Sequence, residues 1–230
     1  MMPGSQMSDR GVLVIVSSPS GAGKTTLTRM LLGEFRNQLE FSVSYTTRPM
    51  RTGEVNGRDY WFVTPDAFEE MVRRHEFAEY AFVHGNRYGT AAAPIEAALT
   101  EGRDVIFDVD FQGGAALSAR WPKDCLKIFV LPPDMETLEA RLRQRATDAP
   151  EIVARRLRNA HEELQHYGEY QHLVVNDEVQ RAYALLRAIY LTRKYGEVAR
   201  PDVSYDLPAE ARLVHVDSGA EAHARKLVGR

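Results

Sequence analysis

The stretch VLVIVSSPSGAGKTT, residues 12–26, narrows the folds open to this chain more than any other. Val12 to Val16 is a short apolar run rich in β-branched residues, the pattern of a strand buried on both faces. Leu27, Met30, Leu31 and Phe35 then recur at helical spacing. Strand, glycine-bearing turn and helix in immediate succession bring backbone N–H groups and a helix N-terminus to one place, which makes a seat for phosphate. Gly21 and Gly23 allow tight bends and close approach without a Cβ. Lys24 adds a point charge for the β/γ-phosphates, and Thr25 a hydroxyl for Mg²⁺. Ser18 stands where the pattern G-x-x-x-x-G-K-[ST] has its first glycine. At the exit from a strand a small residue suffices, so the serine breaks the pattern and leaves the mechanism.

Three further stretches read as buried strands: DVIFDVD (104–110), LKIFVLP (126–132) and HLVVND (172–177). Helical spacing follows the last two, through Leu138 and Leu142 and then Val179, Tyr183, Leu186 and Ile189. Such alternation predicts an α/β three-layer fold with a parallel central sheet, and the phosphate loop after the first strand makes it one of the P-loop NTPase type. Residues 41–64 change texture, with short alternating strands and Gly and Pro punctuation, as in a small inserted lobe. Residues 141–158 hold six arginines and no lysine, a composition that suits a helical, arginine-rich lid. Residues 196–230 show no long periodicity and are given no role and no catalytic group.

The chain of 230 residues is 44% hydrophobic and 27% charged with a formal net charge of -3, the profile of an ordinary globule. That balance gives no reason to expect nucleic-acid binding. A single cysteine, Cys125, excludes an internal disulfide, and no Cys/His spacing suggests a structural metal. The first residues lack the apolar core of a signal peptide and the apolar runs fall far short of a membrane span, so a cytoplasmic protein is expected. A homo-oligomer is compatible with the sequence.

The phosphate loop alone does not name an acceptor, since GTPases, motor ATPases and small-molecule kinases share it. No N-K-x-D follows to read a GTPase base. Arg48 and Arg51 lie three apart in YTTRPMRTGEVNGRDY (45–60), with Tyr60 close behind, and FAEYAFVHGNRYGT (77–90) supplies Glu79, Tyr88 and Thr90. Arginine forks match phosphate oxygens bidentately, and a tyrosine hydroxyl adds one bond.

Together SPSGAGKTTL, SVSYTTRPMRTGEVNGRDYWFV, HGNRYGT, FDVDFQG and RLRQRATD resemble the guanylate kinases in content and order, over about residues 11–195. The resemblance implies an ATP:GMP phosphotransferase of purine nucleotide metabolism. Its core would be about 11–43, 91–140 and 165–195, with a GMP-binding lobe at about 44–90, a lid at about 141–164 and a C-terminal extension at 196–230. It implies ATP binding by Ser18, Pro19, Ser20, Gly21, Ala22, Gly23, Lys24, Thr25 and Thr26 with Arg141 and Arg145 of the lid. It implies GMP (or dGMP) binding by Ser44, Arg48, Arg51, Tyr60, Glu79, Tyr88, Thr90 and Asp110. Lys24, Arg48, Arg141, Arg145 and Arg156 would carry the phosphoryl transfer. Thr25, Asp108 and Asp110 would hold Mg²⁺, mostly through water. Departures are Ser18, Ala146 in the lid motif and the tail.

The chemistry of guanine agrees. Its N1–H and N2–H donors lie along one edge beside the O6 acceptor, so a carboxylate such as Glu79 takes both donors while Ser44 or Thr90 donates to O6. Adenine presents an acceptor at N1 and would meet Glu79 lone pair to lone pair. Asp108 and Asp110, two apart in a strand pattern, are expected to share a face. The same pair could instead cap a nearby helix. Two other readings stay open on residues alone: a non-catalytic guanylate-kinase-like interaction module, against which Lys24 and Thr25 argue, and a kinase for another small phosphorylated substrate.

Overall fold

A computed structural model describes residues 10–83, 85–144, 150–215 and 219–229. Along the chain run β1 (Leu13–Ser17), α1 (Lys24–Glu34), β2 (Leu39–Phe41), β3 (Tyr45–Thr46), β4 (Trp61–Phe62), α2 (Pro65–Arg73), β5 (Phe77–Val83), β6 (Asn86–Ala91) and α3 (Ala92–Thr100). There follow β7 (Asp104–Asp108), α4 (Phe111–Arg120), β8 (Cys125–Leu131), α5 (Met135–Gln144), α6 (Pro150–Leu164), β9 (His172–Val175), α7 (Val179–Tyr195), α8 (Leu207–His215) and α9 (Ala220–Leu227). The strands form a five-stranded sheet ordered β2-β7-β1-β8-β9 and a four-stranded sheet ordered β4-β3-β6-β5. The α/β architecture with a parallel central sheet is the one that the alternation of apolar strands and helical stretches predicts.

The chain divides into two compact units, Val14–Arg36 with Asp108–Gly114 and Leu126–Arg230, and the described part of Met1–Leu13 with Asn37–Phe107 and Ala115–Cys125. In the first of these, Val14, Ile15 and Val16 of β1 are wholly buried. Burying each such side chain stabilises by about 1.5–3 kcal/mol, which is why a five-residue run with no polar member becomes a central strand. Strands β8 and β9 pair in parallel from Ile128 opposite His172 to Leu131 opposite Val175. Helices α5 and α6 pack through Leu138, Leu142 and Ala160.

The tail, whose sequence shows no long periodicity, is nevertheless regular in structure. It forms α8 and α9, each too short to leave a long periodic trace. Leu207, Ala211, Ala220 and Ala224 are buried. Tyr205 sits 5.7 Å from Phe35, which itself meets Tyr190 edge-on at 4.9 Å. Arg187 of α7 pairs with both Glu34 and Glu210. The His223 Nε2–H donates to the Pro132 carbonyl at 2.9 Å. These contacts make the tail part of the core of its unit. Leu207→Ala is accordingly expected to lower the unfolding free energy by about 2 kcal/mol, the lower range for a buried leucine. Urea unfolding checks this, and a variant as stable as its parent would remove α8 from the core.

The second unit contains the parallel pair β2 and β7, in register from Leu39 opposite Asp104. Asp104 is buried, and its carboxylate accepts from the Val12 N–H at 2.9 Å. The four-stranded sheet is mixed: β3 runs parallel to β4 and antiparallel to β6, and β6 is antiparallel to β5. Thr64 caps α2 by accepting from the Ala67 N–H, and Pro65 takes the first helical position, where its missing N–H costs nothing. Phe68 of α2 then stacks on Phe77 at 4.5 Å. A Cβ on Gly89 would lie 2.9 Å from Phe77 and 3.0 Å from Phe68, so only glycine admits this aromatic pair against β6.

Candidate functional site

The loop between β1 and α1 takes its shape from two left-handed glycines, Gly21 at φ 91° and Gly23 at φ 98°. A Cβ on Gly23 would stand 2.1 Å from the Asn176 side-chain nitrogen. That nitrogen donates to the Ala22 carbonyl at 2.7 Å, so the end of β9 clamps the back of the loop. On the open side is a cavity of about 230 Å³ lined by Ser18, Pro19, Ser20, Gly21, Gly23, Lys24 and Thr25 with Asp108, Asp110 and Glu163. Lys24 is ion-paired with Asp108 and its ammonium also reaches the Val109 carbonyl at 3.4 Å. Thr25 Oγ1 lies 3.4 Å from the other Asp108 oxygen. Ala22 is buried behind the loop, and Thr26 is exposed on the first turn of α1.

Ser18 is buried, and its hydroxyl donates to the Pro19 carbonyl at 3.0 Å. The side chain serves the loop's own backbone, so Ser18→Gly is expected to change kcat/KM by less than about tenfold, or about 1.4 kcal/mol. Steady-state kinetics decides this, and a larger loss would mean that the hydroxyl meets the ligand.

Asp110 corrects the expectation of a shared strand face. Strand β7 ends at Asp108, and Asp110 accepts from the Gly113 N–H at 2.9 Å at the start of α4. Strand alternation therefore does not relate the two carboxylates, although both border the cavity. Of the arginines expected in a lid, Arg141 on α5 and Arg156 on α6 are half-buried and do not line the cavity. Arg145 lies outside the described residues. Arg143 pairs with Glu139 along α5, and Arg155 and Arg158 are exposed, as a solvated helix face would be.

Glu163 is a cavity residue that the sequence reading missed. Its carboxylate accepts from the Ser20 N–H at 3.2 Å. Burial pushes the carboxyl above the ordinary glutamate value, against the opposing pull of that N–H and of Lys24.

The unit that carries the four-stranded sheet holds the other predicted residues in two groups. Glu79 on β5 stands directly opposite Thr90 on β6, and the Thr90 hydroxyl donates to it at 2.5 Å. Ser44 Oγ lies 3.4 Å from Thr90 Oγ1. A carboxylate and two hydroxyls thus form one chain. In the second group, the Arg48 guanidinium lies 5.4 Å from the Tyr60 ring centre and 5.6 Å from that of Phe62. Tyr60 meets Tyr88 edge-on at 5.9 Å.

Glu54, also missed, organises this second group. It takes Arg48 through both oxygens at 2.7 and 3.0 Å and the Arg51 N–H at 2.7 Å. That pairing raises the Arg48 pKa, with help from Tyr88, and lowers that of Glu54. Its place three residues beyond Arg51 was the available signal. The side chain of Arg51 is exposed. No helix among the described residues is long and apolar enough to cross a membrane.

Comparison with known proteins points the same way. Residues 10–192 match the family model for guanylate kinase. The chain is 47% identical over 199 residues to a curated guanylate kinase of Chelativorans sp. (strain BNC1), which spans 86% of this chain and 91% of the relative. It is 51% identical over 180 residues to that of Rhodopseudomonas palustris (strain ATCC BAA-98 / CGA009), covering 78% and 81%. Among solved structures, the guanylate kinase of Anaplasma phagocytophilum superposes with a TM-score of 0.66 at 29% identity, covering 81% of this chain and 88% of that one. A phosphate loop with its lysine and threonine in place, a carboxylate–hydroxyl chain on a separate mixed sheet, and these likenesses converge on one conclusion: the chain belongs to the guanylate kinase family.

Proposed function

We propose that this chain transfers the γ-phosphoryl group of ATP to GMP or dGMP, giving ADP and GDP or dGDP. The observation that carries the reading is the Glu79–Thr90–Ser44 chain, because it has the polarity of the guanine edge. The Glu79 carboxylate accepts from guanine N1–H and N2–H, and a Ser44 or Thr90 hydroxyl turns to donate to O6. Asp110 is assigned a supporting contact to the base or to the water shell of the metal ion. Arg48, Arg51, Tyr60 and Tyr88 receive the acceptor phosphate, with Glu54 holding Arg48 extended.

The attacking atom is a phosphate oxygen of the nucleoside monophosphate. Its second pKa is about 6, so it is already anionic near neutral pH and no general base is needed. The oxygen bonds to the γ-phosphorus as the bond from that phosphorus to the β,γ-bridging oxygen breaks, and ADP leaves with the electron pair. Catalysis is then positioning and charge neutralisation. Lys24 supplies charge at the β/γ-phosphates, and the loop amides cradle the β-phosphate. Arg141, Arg145 and Arg156 of the lid add charge and exclude water that would otherwise take the phosphoryl group.

Among the described residues no group of three or more His, Cys, Asp or Glu side chains could hold a metal alone. One hydroxyl and one carboxylate in contact, Thr25 and Asp108, suit Mg²⁺, which keeps several waters and takes its other ligands from substrate phosphates. When bound with ATP, Mg²⁺ would neutralise charge developing on the phosphates. A cytoplasmic site of action is part of the proposal, supported by the lone buried thiol of Cys125. An ADP-release assay across GMP, dGMP, AMP, CMP and UMP tests the whole. GMP and dGMP should be the fast acceptors, and a preference for another monophosphate, or none, would overturn the assignment.

A further inference from the structure

The cavity beside the phosphate loop contains a carboxylate that the phosphoryl transfer does not call for. A polyphosphate is a strong anion, and a nearby glutamate opposes it electrostatically. Glu163 nevertheless borders this cavity from the last turn of α6, with Lys24 and Asp110 close enough to act on its ionisation. It abstracts no proton in the reaction, because the attacking oxygen is already anionic. What it does make is a bond to the Ser20 N–H.

That bond is one of two grips on the backbone of the loop. Asn176 holds the Ala22 carbonyl from β9, and Glu163 holds the Ser20 amide from α6. Gly21 lies between them in a left-handed conformation, where glycine has the freest backbone of any residue. Fixing the residues on both sides of such a joint fixes the direction of the amides that follow. The amide that Glu163 takes is withdrawn from the phosphate-binding set, and the remaining ones are held in place for it.

We propose that Glu163 is a positioning residue for ATP: its carboxylate anchors the Ser20 amide and so presets the phosphate loop from the lid helix. Helix α6 also carries Arg156, seven residues earlier and therefore on nearly the same face, roughly 10 Å away along the axis. The anchor thereby sets the face on which α6 offers its arginine. The inference rests on the reading of this loop as the ATP site.

The test combines ATP and GMP kinetics with calorimetric titration of ATP on Glu163→Ala, Glu163→Gln and Glu163→Asp. Removing the anchor in Glu163→Ala should raise both the ATP KM and the ATP Kd by about tenfold and move the GMP KM by less than about twofold. Glutamine keeps a carbonyl oxygen that can accept from Ser20, so Glu163→Gln should stay within about threefold of wild type. Tighter ATP binding in Glu163→Ala would make the carboxylate a competitor of phosphate and overturn the proposal, as would unchanged binding. Equal damage in Glu163→Gln and Glu163→Ala would also overturn it, since charge and not the bond would then matter. Should Glu163→Ala fail to fold by circular dichroism, Glu163→Asp decides. Its shorter reach should weaken ATP binding where glutamine does not, and equal behaviour of the two would sink the idea. A wild-type protein that does not phosphorylate GMP would remove the underlying reading, whereas an active wild type with indifferent Glu163 variants removes only the anchor.

Discussion

Lys24→Ala is expected to lower kcat by at least about a thousandfold, close to 4 kcal/mol of barrier, while leaving a folded protein. The ammonium is held by Asp108 and sits at the mouth of the loop, where the β/γ-phosphates are proposed to lie. Its charge matters more as the bond to the bridging oxygen breaks and negative charge gathers there, so the loss should fall on kcat and not only on ATP affinity. The truncation also leaves Asp108 without its cation. That carboxylate keeps water access, so the stability cost should be modest, and circular dichroism with thermal unfolding separates it from the catalytic one. Near-normal turnover in a folded variant would mean that the loop binds no reacting phosphate.

The loop was legible because its information is local. An apolar run from Val12 to Val16, two glycines and a Lys-Thr pair lie within fifteen residues, and each has its own physical reason to be there. The Glu79–Thr90 pair was legible in another way: the β5–β6 pairing that sets the two opposite each other spans only eleven positions, and one quoted stretch carries both. Glu163 and Asn176 were not legible. They reach the loop from 143 and 154 residues away, and in sequence one resembles a surface glutamate and the other the end of a strand. The Asp108–Asp110 inference failed because alternation holds only while the strand continues, and β7 stops at Asp108. The packed helices of the tail were not legible because their buried faces are made of one leucine and three alanines, Leu207, Ala211, Ala220 and Ala224, which leave little contrast for a periodic pattern.

Base choice should rest on Glu79 more than on any other side chain. The Thr90 hydroxyl already donates to one of its oxygens at 2.5 Å, and Ser44 lies next in the chain. A carboxylate can accept that bond and still offer lone pairs to both guanine donors. The amide of Glu79→Gln cannot. If its oxygen accepts from Thr90, its N–H₂ faces guanine N–H groups, and two donors oppose each other. If the amide turns over, its nitrogen donates to Thr90 and a single oxygen remains for two guanine donors. Either way one charge-assisted bond is lost and a polar group is left poorly satisfied, at about 3–4 kcal/mol, or two to three orders of magnitude in kcat/KM for GMP. The ATP KM should change little, because Lys24 and the loop amides are untouched. AMP should lose less than GMP, since the amide N–H can donate to adenine N1 where the carboxylate met it lone pair to lone pair. Steady-state kinetics with each nucleotide varied in turn reads the outcome directly: a variant that separates GMP from AMP as well as wild type does would take Glu79 out of the guanine site and leave Ser44 and Thr90 to account for the choice.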